Sequence, residues 1–178
     1  AQTFMWRAHI ARGPLTMMDV VDQFDGETGS TVGRLFGRFP VIDVNNEDTR
    51  RSAAGRAAIE AAMFAPSAVL PSKSITWRAI SENEVEAAFD MPPERPVIRI
   101  RLSPEGQIEQ LSMMRWGTVG VKKPQYIPIG CDVHEERRFG NYVIPSRFSV
   151  GWWWGSPLHE PFFEAEVVEY AGVESTES

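Results

Sequence analysis

The sequence is poor in the residues that build disulfides and metal sites. It has one cysteine, Cys131, and three histidines among 178 residues. A single cysteine excludes an internal disulfide, and cysteine-based zinc sites need several thiolates. The histidines, at positions 9, 134 and 159, form no ligand-spaced pair and no HExxH motif. We therefore expect neither a bound metal nor a cofactor.

Positive charge and long apolar runs are also scarce. Lysine and arginine number 18 against 24 aspartate and glutamate residues, which gives a net charge of −6. This balance argues against a nucleic-acid partner. No apolar run approaches the roughly 20 residues that cross a bilayer, so we expect no transmembrane segment. No secretory signal pattern is present either. A leader already removed would leave no trace, so the sequence does not fix the compartment.

What the sequence does contain is a series of strand patterns. In "VIRIRLS", Ile98, Ile100 and Leu102 alternate with polar residues, as in a strand with one buried face. Turn-forming pairs such as Asp25-Gly26 and Gly140-Asn141 separate successive apolar runs. Sequential hairpins predict a mainly β fold of the α+β class, with an antiparallel sheet.

One stretch departs from the strand pattern. "NNEDTRRSAAGRAAIEAAMFAP" predicts a helix from about Asp48 to Phe64, with Asn46 or Asp48 as its N-cap and Pro66 at its end. Its apolar positions recur at helical spacing and should form one face. They are Gly55, Ala58, Ile59, Ala62 and Met63.

Three of the six tryptophans are adjacent, at positions 152–154. Side chains alternate along a strand, so Trp152 and Trp154 should share one face and Trp153 should lie on the other. We expect Trp77 and Trp152 to be largely buried. Trp153 should be the most exposed of the three neighbours.

Three segments carry a family resemblance: "AAIEAAMFAPSAVLP", "ITWRAI" and "RFGNYVIPSRFSVGW". They resemble a group of uncharacterised bacterial domains that is itself similar to the lipoprotein-carrier (LolA-like) superfamily. The resemblance implies a curved antiparallel sheet or half-barrel wrapped on one principal helix. The chain length predicts one domain, over residues 1–172, and the C-terminal sequence predicts a disordered tail at 173–178. Members of the group usually carry further strands before the segment matching "FMWRAHI", which leaves open whether this chain is a fragment.

The resemblance also implies a function. Carriers of that superfamily hold acyl chains or other lipids in an apolar cavity, so we expect the concave face to bind an apolar or lipid-like molecule. Methionines and aromatic residues suit an adaptable pocket. A helix face of alanine and glycine should leave a gap beside Phe64, Trp77 and Trp154. The candidate ligand-binding residues are Phe64, Trp77, Met113, Trp152 and Trp154.

Two alternatives remain open from the sequence. In "CDVHEERR", Asp132, His134 and Glu136 would share a strand face and could supply acid and base groups for an enzyme using the same cavity. An interaction protein would instead use Trp153 and open sheet edges, which invite pairing with another chain and thus oligomers. The first alternative requires that the three polar groups face the cavity.

Overall fold

The computed structural model describes residues 2–171, so the tail predicted at 173–178 lies outside the described residues. Within residues 2–171 the chain forms eleven strands, one α-helix and one short 3-10 helix. All paired strands are antiparallel. The prediction of a mainly β, antiparallel α+β fold is confirmed.

The first four strands form a sheet of their own, in the order β1-β2-β3-β4. They are β1 (Phe4–Arg12), β2 (Leu15–Phe24), β3 (Gly29–Leu35) and β4 (Phe39–Val44). The turn between β2 and β3 is held by Asp25, whose carboxylate accepts hydrogen bonds from the backbone N–H groups of Glu27 and Thr28 at 2.9 and 2.6 Å. These bonds lower the pKa of Asp25 to about 2.

The remaining strands form a second, seven-stranded sheet in the order β11-β10-β9-β8-β7-β6-β5. They are β5 (Ile75–Ala79), β6 (Glu84–Phe89), β7 (Val97–Leu102), β8 (Ile108–Gly117), β9 (Gln125–Phe139), β10 (Tyr142–Trp152) and β11 (Glu160–Glu166). Every strand pairs with its neighbour in sequence, as expected for successive hairpins. The sequence did not predict that the strands divide into two sheets.

Helix α1 spans Glu47–Phe64 and separates the two sheets along the chain, which confirms the predicted helix. Asn46 is its N-cap and accepts a hydrogen bond from the backbone N–H of Thr49 at 3.0 Å. The helix ends before Pro66, where the 3-10 helix Pro66–Val69 begins.

The sequence predicted one apolar face for α1, but the helix is buried on most of its surface. Ala53, Ala54 and Ala57 form a cluster with Phe24 of β2. Further along, alanines of α1 join the main core, which the second sheet supplies. A helix with apolar residues on all sides needs cover on all sides, and the two sheets supply it.

Two glycines allow this close packing. A Cβ atom on Gly29 of β3 would lie 2.8 Å from Cα of Arg50 and 2.9 Å from Cβ of Ala53. A Cβ atom on Gly55 of α1 would lie 3.2 Å from side-chain atoms of Met113 and Arg115 on β8. The small residues of the helix therefore bring both sheets close at these two points, where the sequence predicted open volume.

A buried ion pair fixes the start of α1 to the second sheet. Nε of Arg51 donates to Glu94 at 2.5 Å, and the Glu94 residue is only 5% exposed. The hydroxyl of Tyr126 donates to the other Glu94 oxygen at 2.6 Å, and this bond raises the pKa of Tyr126. The guanidinium carbon of Arg51 lies 3.5 Å from the ring centroid of Trp116. Both Glu94 oxygens are thereby paired.

We predict that Gly29→Ala destabilises the protein by about 1–3 kcal/mol, because the added methyl meets helix backbone that cannot move aside alone. Ser30→Ala, the next position on β3, should change the free energy of unfolding by about 0.5 kcal/mol or less. Urea unfolding of both variants measures the difference. Equal stability of the two variants would show that α1 does not pack against β3 at this distance.

Substitution of the neighbouring residues Arg50 and Arg51 tests the buried ion pair, because only Arg51 contacts Glu94. Arg51→Met leaves the buried Glu94 carboxylate without its cation and should cost about 3–5 kcal/mol. Arg50→Met should cost much less, because Arg50 pairs with Glu47, whose side chain is 62% exposed. Thermal and urea unfolding report both values. A smaller loss for Arg51→Met than for Arg50→Met would contradict the network.

Candidate functional site

A mainly apolar opening in the described residues lies between α1, β1 and the β9–β11 end of the second sheet. We call it the inner cavity, and its volume is about 500 Å³. Helix α1 contributes one wall with Arg56, Ile59, Glu60, Met63 and Phe64. The strands contribute Trp6, Arg115, Ile129, Cys131, Phe148, Val150, Trp152, Phe162, Phe163 and Ala165.

The apolar wall of the inner cavity follows from the alternation of side chains along β10. Phe148, Val150 and Trp152 are every second residue of β10, so they project from the same face of the sheet toward α1. The ring centroid of Phe148 lies 5.7 Å from that of Phe64 and 6.4 Å from that of Phe163. These spacings are typical of packed aromatic pairs. The wall is therefore a continuous aromatic surface from the helix to the sheet edge.

One end of the inner cavity is charged. Arg56 donates to Asp22 of β2 at 2.6 Å and to Glu60 one helical turn later at 2.5 Å. Its guanidinium carbon lies 4.8 Å from the ring centroid of Trp6. Arg115 reaches the same end from β8, where its Nε donates to the backbone carbonyl of Ser52 at 3.0 Å.

The lone cysteine belongs to the cavity wall and is not a reactive group. Cys131 is 1% exposed and packs in the main core. Burial, with a smaller contribution from the charge of Asp132, raises the pKa of the Cys131 thiol to about 12. The thiolate is the nucleophilic form, so this cysteine is chemically inert at neutral pH.

The three adjacent tryptophans follow strand alternation only to Trp152, where β10 ends. Trp153 has φ of +60° and turns the chain, so the predicted alternation over 152–154 is wrong. Trp154 then folds back over Gly130 of β9, on the face opposite the inner cavity, with its ring 4.9 Å from that of His159. All three are half-buried, so the exposure contrast expected for Trp153 is not evident.

The five predicted ligand-binding residues do not meet at one place. Phe64 and Trp152 line the inner cavity together. Met113 packs against Gly55 and borders a different cavity. Trp77 was expected to be buried, but it is 37% exposed on the edge strand β5 and donates its indole N–H to the carbonyl of Val69 at 2.7 Å. With Trp154 on the outer face, the expected grouping of Phe64, Trp77 and Trp154 does not form.

The polar set Asp132, His134 and Glu136 lies on the outer face of the second sheet, because Cys131 and Val133, which alternate with its members, pack in the core. Each member has a different hydrogen-bond partner. Asp132 accepts from the Gln110 amide at 2.8 Å, and Glu136 accepts from the Ile108 backbone N–H at 3.2 Å. His134 contacts the Ser149 hydroxyl at 3.0 Å. In residues 2–171 no three His, Cys, Asp or Glu side chains are grouped to hold a metal. The set therefore does not border the inner cavity.

The charged end of the cavity was not predicted from the sequence. Arg115 follows Leu111 and Met113 at every second position of β8, in phase with two core residues. An arginine at an inward-facing position of a strand was the available signal. Arg56 gave no such signal, because its partner Asp22 is distant in sequence.

We predict that Cys131 reacts with iodoacetamide at pH 8 at least a hundredfold more slowly in the folded protein than in urea. Burial lowers both its access and its thiolate fraction. Mass spectrometry of timed samples measures the two rates. Similar rates in both conditions would show that the β9 wall opens freely to solvent.

In the described residues no helix has the length and apolar character needed to cross a membrane. No curated protein and no solved structure matches the chain, so the likeness to lipoprotein carriers has no structural neighbour behind it. The model of one family, described as a family of unknown function (DUF6920), matches residues 1–171. The chain therefore belongs to the DUF6920 family of unknown function.

Proposed function

We propose that this protein binds an apolar, lipid-like molecule in the inner cavity, as a binding module and not as an enzyme. The observation that carries the proposal is the cavity itself, about 500 Å³ in volume and lined mainly by aromatic and aliphatic side chains. Cavities of about 300–1,000 Å³ with such linings are typical of small-molecule sites.

The lining of the inner cavity suits an apolar ligand. The aromatic and aliphatic side chains that line it gain dispersion contacts with such a ligand. An apolar ligand makes those contacts without adding polar groups that need partners. The wall also includes Met63, whose flexible side chain can adjust to the shape of a ligand.

The edge strand β11 supports a route of entry. Phe162 is 61% exposed and Phe163 is 39% exposed, and both border the inner cavity. Large apolar side chains that are exposed beside an apolar opening are characteristic of ligand entrances. A ligand would enter past these two rings with no backbone hydrogen bonds broken between β9 and β10.

The likeness to half-barrel lipid carriers agrees with this proposal as an analogy, since a fold does not by itself specify a function. The enzyme alternative needs Asp132, His134 and Glu136 at the cavity mouth, and these residues lie on the other face of the sheet. The interaction alternative rests on Trp153, which is half-buried, and on open sheet edges, of which β4 exposes Phe39 and Val41. Nothing indicates a partner for that strand.

We predict saturable, one-to-one binding of N-phenyl-1-naphthylamine, a neutral apolar dye. Val150→Phe places a larger side chain in the inner cavity and should weaken binding by at least about tenfold, because the dye and the new ring compete for one volume. Val143→Phe makes the same substitution on the same strand, at a position that is 44% exposed. It should change the affinity by less than about twofold.

Energy transfer from tryptophan supplies a second readout of the same titration. Trp152→Phe removes the indole that lines the cavity, whereas Trp154→Phe removes the one on the outer face. Transfer to the bound dye should fall more in Trp152→Phe. Absence of saturable binding, or equal effects of Val150→Phe and Val143→Phe, would exclude the inner cavity as the site.

A further inference from the structure

The inner cavity has a feature that a purely apolar ligand would not use. Arg115 of β8 lines the inner cavity and also two neighbouring cavities, of about 430 and 580 Å³. Its guanidinium therefore lies where an apolar space meets two more polar ones. A long cationic side chain at such a junction can contact a ligand whose apolar part fills the inner cavity.

The side chain is held in place from both sides. Its methylene groups cross Gly55, where a Cβ atom would lie 3.2 Å from Cγ of Arg115. Its Nε donates to the Ser52 carbonyl at 3.0 Å, and its guanidinium carbon lies 5.4 Å from the ring centroid of Trp152. The position of the guanidinium is thus set before any ligand arrives, which lowers the entropy cost of binding.

Arg115 of β8 differs from Arg51 and Arg56, the arginines through which α1 pairs with residues outside the helix. Arg51 is paired with Glu94, and Arg56 is paired with Asp22 and Glu60. Arg115 makes no ion pair with any carboxylate in residues 2–171. Its terminal amino groups have no hydrogen-bond partner in that range and are not sealed from the cavities.

This unpaired charge is costly in its surroundings. Burial, followed by repulsion from Arg56, lowers the pKa of Arg115 to about 10, so the group is still charged at neutral pH. A partly buried cation without a direct ion pair gains more from contact with an anion than a solvated one does. Its flat guanidinium favours a carboxylate, which it can bind through two parallel hydrogen bonds.

We propose that the ligand of the inner cavity is the anion of an amphipathic monocarboxylic acid, such as a long-chain fatty acid, with its carboxylate on Arg115 and its chain among the aromatic rings. This inference rests on the proposed function. The headgroup should carry a single charge, because Asp22 and Glu60 act on the same end of the cavity and would repel a dianion.

The test compares ligands with one chain and different headgroups. Dodecanoate, dodecan-1-ol and dodecyl phosphate are each titrated against the dye-loaded protein at pH 8, and displacement gives their affinities. Dodecanoate should bind roughly ten- to hundredfold more tightly than the alcohol, as expected for a charge-assisted hydrogen-bond pair in a desolvated site. It should also bind more tightly than dodecyl phosphate.

Variants of Arg115 assign the preference to this side chain. Arg115→Met should remove the preference for dodecanoate and leave alcohol binding within about threefold of the unmodified protein. Arg115→Lys should keep part of the preference, because it keeps the charge and loses the paired hydrogen bonds. Arg78→Met is the control: this arginine lies on β5 with a side chain 73% exposed, and its loss should change neither affinity. Binding of the neutral dye to each variant verifies that it is folded.

The outcomes separate the two proposals. If dodecanoate and dodecan-1-ol bind equally, or if Arg115→Met lowers both affinities alike, the carboxylate assignment is wrong and the apolar site stands. Tighter binding of dodecyl phosphate also overturns the carboxylate assignment. If neither the dye nor any of the three ligands binds, the proposed function fails and the inference fails with it. If Arg115→Met does not fold, the ratio of dodecanoate affinity to dodecan-1-ol affinity in the unmodified protein tests the carboxylate assignment.

Discussion

The structure depends on one packing constraint: helix α1 must fit between two sheets that approach it from different sides. Gly29 of β3 meets the helix backbone at Arg50, and Gly55 of the helix meets the side chains of β8. Alanines fill most of the remaining contact surface. Close contact on both sides leaves little freedom in the helix position, since packed interiors tolerate only small volume changes. The inner cavity exists where this contact ends and Phe64 and Met63 replace alanine.

The same constraint explains the pattern of buried charge. A helix covered on both sides has little open surface for its arginines, so their guanidinium groups lie near the sheets. Glu94 neutralises Arg51, while Asp22 and Glu60 neutralise Arg56. These pairs tie α1 to both sheets, because Asp22 belongs to β2 and Glu94 precedes β7. Arg115 approaches from β8 without a direct ion pair in residues 2–171, which places a guanidinium group with free donors at one end of an apolar cavity.

Much of the fold follows from local sequence patterns. The switch from alternation to an alanine-rich run predicted α1 from Asp48, within one residue of its start at Glu47. The hairpin turns predicted antiparallel neighbours. The division into two sheets was not predictable, because hydrophobic periodicity describes the faces of one strand and not the choice of its sheet. The alanine face was also misinterpreted, since small residues predict either a gap or a close approach.

The site was harder to predict than the fold. Strand alternation placed Trp152 correctly on the inner face, but it failed at Trp153, whose positive φ ends the strand. That turn sends Trp154 to the outer face, against Gly130. Phe64 was predicted from the gap expected beside the small residues of the helix, and it lines the inner cavity together with Trp152. The charged end was missed because the pair of Arg56 with Asp22 joins residues far apart in sequence, where no spacing rule applies.

The most direct measurement of the central claim is a crystal structure of the protein with 12-bromododecanoate, using the anomalous signal of bromine to locate the end of the chain. The account predicts one bromine site in the inner cavity, among Phe64, Phe148 and Phe163, with the carboxylate on the guanidinium of Arg115. A bromine site on the exposed face of β4, or a chain that leaves the inner cavity empty, would contradict it.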